Sequence, residues 1–184
     1  MSKKTFVNDA DLDPQETKEW TDALDSVITQ EGADRAHFLI EKVICQAREA
    51  GVEAIVWTGG GEPTLHPDWQ TIVDRAHQLG FQQGMYTLGG HLDADSGRHL
   101  AERATWVVVS LDCADGVIYA REKGVPASRF DAACRGVESL VGHRAVVGVS
   151  FLLHAGNWRE APRMLDLARS MGASYATFRP TIEV

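Results

Sequence analysis

Residues 55–67 read IVWTGGGEPTLHP, which places three glycines, a carboxylate and a proline directly after an apolar stretch. Gly59, Gly60 and Gly61 have no Cβ, so the backbone there can take positive φ and come close to a ligand. Their N–H and C=O groups suit a polar or zwitterionic end. Glu62 suits an ammonium group, and Pro63 stiffens the exit from the turn. No Lys-Ser/Thr pair follows the glycines, so the run is not a phosphate-binding P-loop, and it is not the dinucleotide GxGxxG pattern. A tight strand-to-helix turn that holds nothing would use the same residue types, and that alternative stays open from the residues alone.

A site of this kind needs elements to present it. From residue 53 onward, apolar and β-branched runs at 54–58, 84–87, 105–111, 145–153 and 174–178 alternate with amphipathic stretches at 68–79, 93–103, 129–141 and 158–171. Strand, helix, strand at that spacing predicts right-handed βαβ units and a parallel sheet. The runs are nearly all apolar, as for strands covered on both faces. The expected class is α/β, an incomplete (βα) barrel or an open parallel sheet of about five strands. Ligands of such sheets collect at the carboxyl ends of the strands, which is where the glycines fall.

An N-terminal α-helical hairpin is expected to precede this sheet. Asp13 can cap a first helix, with Pro14 in its first turn and Glu16 placed for a capping box. Trp20, Leu24, Val27 and Ile28 recur at helical spacing up to a stop at Gly32. A second helix carries Ala36, Leu39, Ile40, Val43, Ile44 and Ala47 on one face, with Gly51 after it. The predicted division is residues 1–50 and residues 51–184.

Composition narrows the classes. The net charge of −8 argues against non-specific nucleic-acid binding. It is uneven: residues 1–50 carry six basic and eleven acidic side chains, a net of −5, and the remainder carries −3. The acidic segment suggests a basic partner. No apolar run is long enough to span a bilayer and no signal-peptide core is present, so a cytoplasmic location is expected. His66, His91 and His154 could each reach a strand end, but none is paired at metal-ligand spacing. No GxSxG elbow occurs. Acid–base chemistry by Glu62 with Asp112 would need both to face one cavity.

TGGGEPTLHPDW at 58–69 resembles the GGE motif of the radical S-adenosylmethionine superfamily. The resemblance continues through YTLGGHL at 86–92, VVVSLDCAD at 107–115, VGVSFLLHAGN at 147–157 and YATFRPTIE at 175–183, about residues 44–184 in all. It implies a partial barrel in which Gly59, Gly60, Gly61 and Glu62 face the amino group of S-adenosylmethionine. It also implies that Ser110 or Asp112 meets the ribose, and that Ser150, Asn157 and Arg179 face cofactor or substrate. Leu88 stands where the family often carries an asparagine. The family's iron–sulfur cluster needs three thiolates from a Cys-x-x-x-Cys-x-x-Cys loop upstream of the glycines. This chain has only Cys45, Cys113 and Cys134, so a cluster is not expected, and with it no radical catalysis.

Residues 8–43, NDADLDPQETKEWTDALDSVITQEGADRAHFLIEKV, resemble the N-terminus of the homodimeric, thiamine-dependent decarboxylase component of pyruvate dehydrogenase. In that family the segment docks on the subunit-binding domain of the dihydrolipoyl acyltransferase core. The resemblance makes Asp11, Asp13, Glu16, Glu19, Asp22 and Asp25 the candidate docking acids. The two resemblances meet near residues 44–51, so the chain reads as a docking hairpin fused to a truncated barrel. The alternatives are a binding module alone, or a scaffold with no ligand.

Overall fold

The computed structural model describes residues 13–59 and 61–181. Asp11 and Gly60 lie outside the described residues. The chain divides into two compact units, Met1–Glu49 and Ala50–Val184.

The first unit is a pair of helices, α1 (Pro14–Glu31) and α2 (Ala33–Glu49). Asp13 starts α1 by accepting a hydrogen bond from the Glu16 N–H at 2.9 Å, with Pro14 in the first turn where its missing N–H costs nothing. Gly32, at φ 89°, separates the helices; that backbone conformation favours glycine. Ala36 and Ile44 of α2 are buried. On α1, Leu24 and Val27 are half-buried while Trp20 and Ile28 remain exposed. The helical period of the apolar residues therefore overstates how much of α1 is covered.

The second unit holds five parallel strands in the order β1-β2-β3-β4-β5. They are β1 (Ala54–Trp57), β2 (Gln82–Thr87), β3 (Trp106–Ser110), β4 (Val146–Leu153) and β5 (Tyr175–Pro180). Helices α3 (Trp69–Gln78), α4 (Ala94–Arg103), α5 (Gly116–Lys123), α6 (Ser128–Leu140) and α7 (Ala161–Ser170) lie between them, with α5 and α6 both between β3 and β4. The order is that of a (βα) partial barrel. Among the described residues no helix is long and apolar enough to cross a membrane.

Strand alternation sorts the side chains. Met85, Val107, Val109, Val147, Val149 and Phe151 are buried in one core. Leu100, Val137, Leu140 and Met164 of the helices belong to the same core. Burying a side chain of this size contributes about 1.5–3 kcal/mol each. The other face is open in part: Val56, Tyr86, Val146, Leu152 and Tyr175 are exposed there, while Val108 and Ser150 are buried. Apolar residues on that face are what made the runs read as buried on both sides. Aromatic rings lie along it in two places where the neighbouring strand has a glycine. A Cβ on Gly84 would fall 2.1 Å from the Trp106 ring, and one on Gly148 2.3 Å from the Tyr175 ring.

Two features depart from the sequence pattern. β2 begins at Gln82, earlier than its apolar run, because buried Gln83 is fully engaged. Its Oε1 accepts from Trp57 Nε1 at 2.8 Å, and its Nε2 donates to the Val73 carbonyl at 3.1 Å. Helix α5 has no matching amphipathic run. It is made by its ends: Asp115 accepts from the Val117 and Ile118 N–H groups, and Gly124 closes it at φ 65°.

Candidate functional site

β1 ends at Trp57, and the chain then passes through Thr58 and Gly59 to Gly61 and Glu62. Glu62 caps the short 3-10 turn Pro63–Leu65, its Oε1 accepting from the Thr64 N–H at 3.1 Å and the Thr64 hydroxyl at 2.6 Å. The same oxygen accepts from the Thr87 hydroxyl at 2.6 Å, and Oε2 accepts from the Leu88 N–H at 2.5 Å. The carboxylate therefore ties the end of β1 to the end of β2. Three of its four bonds fall on Oε1, which leaves acceptor capacity on Oε2.

A cavity of about 270 Å³ opens at this end of the sheet. The segment after β1 supplies Thr58, Gly59, Gly61 and Glu62 to its wall. The end of β2 supplies Tyr86, Thr87 and Leu88, β3 supplies Ser110, and β5 supplies Arg179. In a flat sheet, β1 and β5 would stand roughly 19 Å apart, four strand spacings. One small cavity walled by both requires the sheet to curl, as a partial barrel does.

The glycines of the wall are informative because nothing among the described residues crowds them. Gly59 does not have a positive φ, and a Cβ on Gly59 or Gly61 would meet no atom of the described residues within 4 Å. The left-handed backbone that glycine permits is not used at Gly59. What they provide is open space beside a backbone, which is the requirement for close approach of a ligand. Glu62 and Arg179 then present one carboxylate and one guanidinium to the same cavity, and the Arg179 guanidinium has no hydrogen bond or ion pair among the described residues. That pairing suits a small zwitterion.

Asp112 and Asn157 do not line this cavity; both are engaged by the end of β4. Asp112, at φ 64° the one non-glycine with positive φ among the described residues, accepts from the Leu152 N–H at 3.1 Å. Its other oxygen accepts from Lys123 Nζ at 2.6 Å. Buried Asn157 donates to the Leu152 carbonyl at 2.8 Å and accepts from the His154 N–H at 2.9 Å. Asn157 and one oxygen of Asp112 are thus spent on backbone groups at and just past the end of β4. Ser150 pairs in register with Ser110, and its buried hydroxyl has no hydrogen-bond partner among the described residues. Sequence reasoning missed Thr58, Tyr86 and Thr87 as wall residues. The signal for Thr87 was its place at a strand end beside the glycine turn, where a hydroxyl can meet Glu62.

The chain's three thiols do not fit an iron–sulfur cluster. Cys113 is buried, with its Sγ against the Leu111 and Asp115 carbonyls at 3.7 and 3.6 Å. Burial pushes its thiol up to about 11, and pushes Cys134 on α6 up to about 11 as well. Thiolate is the ligating form, so both sit in surroundings that oppose ligation. Cys45 is on α2 of the first unit. Among the described residues no three His, Cys, Asp or Glu side chains gather to hold a metal.

Comparison with known proteins separates the two units. PqqA peptide cyclase of Streptomyces rochei is 34% identical over 138 residues, covering 71% of this chain and 35% of that protein. The probable GTP 3',8-cyclase of Saccharolobus solfataricus is 28% identical over 151 residues, 78% of this chain and 48% of that protein. Streptococcus suis SuiB, solved bound to S-adenosylmethionine, superposes with a TM-score of 0.62 at 17% identity, over 78% of this chain and 33% of that one. The second unit has the partial barrel of the radical S-adenosylmethionine enzymes.

The first unit is similar to something else. The family "Pyruvate dehydrogenase E1 component, N-terminal domain" matches residues 13–54. The pyruvate dehydrogenase E1 component of Escherichia coli (strain K12) is 45% identical over 59 residues, 32% of this chain and 6% of that protein. The match runs on past α2 to the first residue of β1, further than the hairpin on which the resemblance was read. Similarities to two kinds of protein thus meet in one chain, which spans about a third of the cyclase and a small part of the pyruvate dehydrogenase E1 component.

Proposed function

We infer that the second unit is a radical S-adenosylmethionine-like domain that keeps a cavity for the cofactor's amino-acid end and performs no radical chemistry by itself. The observation that carries this is the pair Gly59 and Gly61, glycines that no packing among the described residues requires, set beside Glu62 and Arg179 in one cavity. Bound S-adenosylmethionine would supply a sulfonium. The chain's own residues would hold the molecule: Oε2 of Glu62 accepts from the ammonium group, Arg179 donates to the carboxylate, and Ser110 offers a hydroxyl. No step is derived beyond binding, because the thiols do not suit the cluster that would reduce the sulfonium.

Isothermal titration with S-adenosylmethionine tests the reading. Saturable heat is expected from the wild-type chain, with at least tenfold weaker binding in Arg179→Ala, whose side chain makes no bond that folding would miss. No heat from the folded wild-type chain would end it. Anaerobic treatment with iron and sulfide should leave the protein colourless; a brown, cluster-bearing protein would overturn the reading of the thiols.

A second reading is favoured by the match over residues 13–54. The first unit would dock on the basic subunit-binding domain of a dihydrolipoyl acyltransferase, through Asp13, Glu16, Glu19, Asp22 and Asp25. All five are exposed and follow one another at three-residue steps along α1. Asp22 already holds Lys18 at 2.5 Å, an exposed pair of small energetic weight. Capture by the isolated subunit-binding domain at low salt, lost at high salt and lost in Glu19→Lys/Asp22→Lys, would support docking. Absence of capture at low salt would exclude it.

A further inference from the structure

A second cavity, of about 360 Å³, lies on the other side of Leu88, between the turn after β2, α5 and the start of α6. It shares only Leu88 with the glycine-lined cavity. Its polar wall is made of His91, Lys123 and Arg129, and no acidic side chain lines it. In a chain of net charge −8, three basic side chains around one hollow is the reverse of what composition would scatter there. The remaining wall is apolar: buried Tyr119, with Leu88 and Val125. Small-molecule sites have this make-up, a mostly apolar hollow with a few convergent polar groups, and the volume falls at the small end of their range.

The nearby charges decide which group remains available. Lys123 is held by Asp112 at 2.6 Å and lies 5.6 Å from the Tyr119 ring centroid. Glu122 is engaged with His154 at 3.4 Å. Arg129 differs: its backbone N–H donates to the Pro126 carbonyl, but its guanidinium has no hydrogen bond or ion pair among the described residues. A planar guanidinium without a partner, beside an imidazole donor and an aromatic ring, is matched by an oxyanion carried on an apolar body.

We propose that this cavity binds a small amphiphilic anion, a carboxylate or phosphate on an aromatic or branched aliphatic body. Arg129 and His91 receive the oxyanion, and Tyr119, Leu88 and Val125 enclose the apolar part. The site shares Leu88 with the glycine-lined cavity but none of that cavity's polar groups, so its donors are its own.

The test is a backbone-amide NMR titration of the full chain with benzoate, phenyl phosphate, benzyl alcohol and inorganic phosphate. Saturable shifts are expected at the amides of Gly90, His91 and Val125 with at least one of the two aryl anions, and the stronger of the two identifies the oxyanion. Benzyl alcohol should shift none of them. Arg129→Gln should weaken the response at least tenfold, and Val125→Glu should abolish it, with the amides of α3 and β4 unmoved in both as a check on folding. No saturable shift with either aryl anion would overturn the proposal. So would an unchanged response in Arg129→Gln, which would mark a solvated arginine only, or inorganic phosphate binding as tightly as phenyl phosphate.

Discussion

The Leu88 N–H donates to Glu62 Oε2 at 2.5 Å, closing a loop of 26 residues between the ends of the first two strands. The side chain of the same leucine stands between two cavities. One carboxylate therefore holds the backbone of the residue that the two cavities share. Glu62 stabilises the fold and borders the cavity at once, and the two roles can be measured apart.

Replacing Glu62 by alanine removes the acceptor for Thr64 and Thr87, both buried, and for the Leu88 amide. Hydrogen bonds to a charged partner are worth about 1.5–3 kcal/mol, so we expect a loss of about 2–3 kcal/mol in urea unfolding. Glu62→Gln keeps one acceptor oxygen and turns an amide toward the remaining donor. A loss of about 1–2 kcal/mol is expected there. Equal stability in all three proteins would show that the hydrogen bonds carry no net weight.

Gly136 on α6 seats the turn after β2. A Cβ at that position would fall 2.1 Å from the Gly89 carbonyl oxygen, and Gly89 is itself held at φ 72°. Backbone cannot swing aside as a side chain can. Gly136→Ala should therefore cost about 1–3 kcal/mol by overpacking and shift the amide resonances of Leu88, Gly89 and Gly90. Wild-type stability in this variant would contradict the contact.

Gly84→Ala tests the open face. The new methyl would occupy the place of the Trp106 ring, which packs edge-on to Tyr86 with centroids 5.1 Å apart. The ring must tip away, and the near-UV circular dichroism should change. The change should vanish when Trp106→Phe is the background. A spectrum unaltered by Gly84→Ala would mean that the ring does not lie flat on its neighbour.

The thiols give a pH dependence. Burial raises Cys113 and Cys134 from an ordinary 9.0 to about 11, so the folded chain holds two protons that the unfolded chain releases first. Their contribution to stability is present in full below 9.0 and is lost as pH rises toward about 11. We expect the urea midpoint to fall over that window, less steeply in Cys113→Ala. At about pH 8, both thiols should react slowly with a disulfide reagent in the folded chain and rapidly in urea. Rapid reaction of both in the folded chain would refute their burial.

Much of the architecture was legible because apolar runs and helical periods recur in strict alternation. The runs at 145–153 and 105–111 became β4 and β3 with their ends moved by about one residue. Asp13 and Gly32 marked α1 for the same reason, since capping is local chemistry. Helix α5 was not legible: its signals are an aspartate and a glycine at its two ends, with little amphipathic period between them. The glycine run could be placed at a strand end, but not Thr87 or Leu88 opposite it. Nor could the sequence tell that Asp112 and Asn157 would serve the backbone of β4. Partners 40 residues apart, as Asp112 and Leu152 are, leave no trace in local pattern.

Because the sheet is ordered as the chain is, each strand finds its partner in the segment synthesised just before it. Among the described residues no strand has to wait for a distant stretch to return and fill a gap between strands already paired. Such a sheet can grow rung by rung while the polypeptide is still emerging from the ribosome, with the spans between paired strands kept short and the time spent with unmatched apolar surface kept brief.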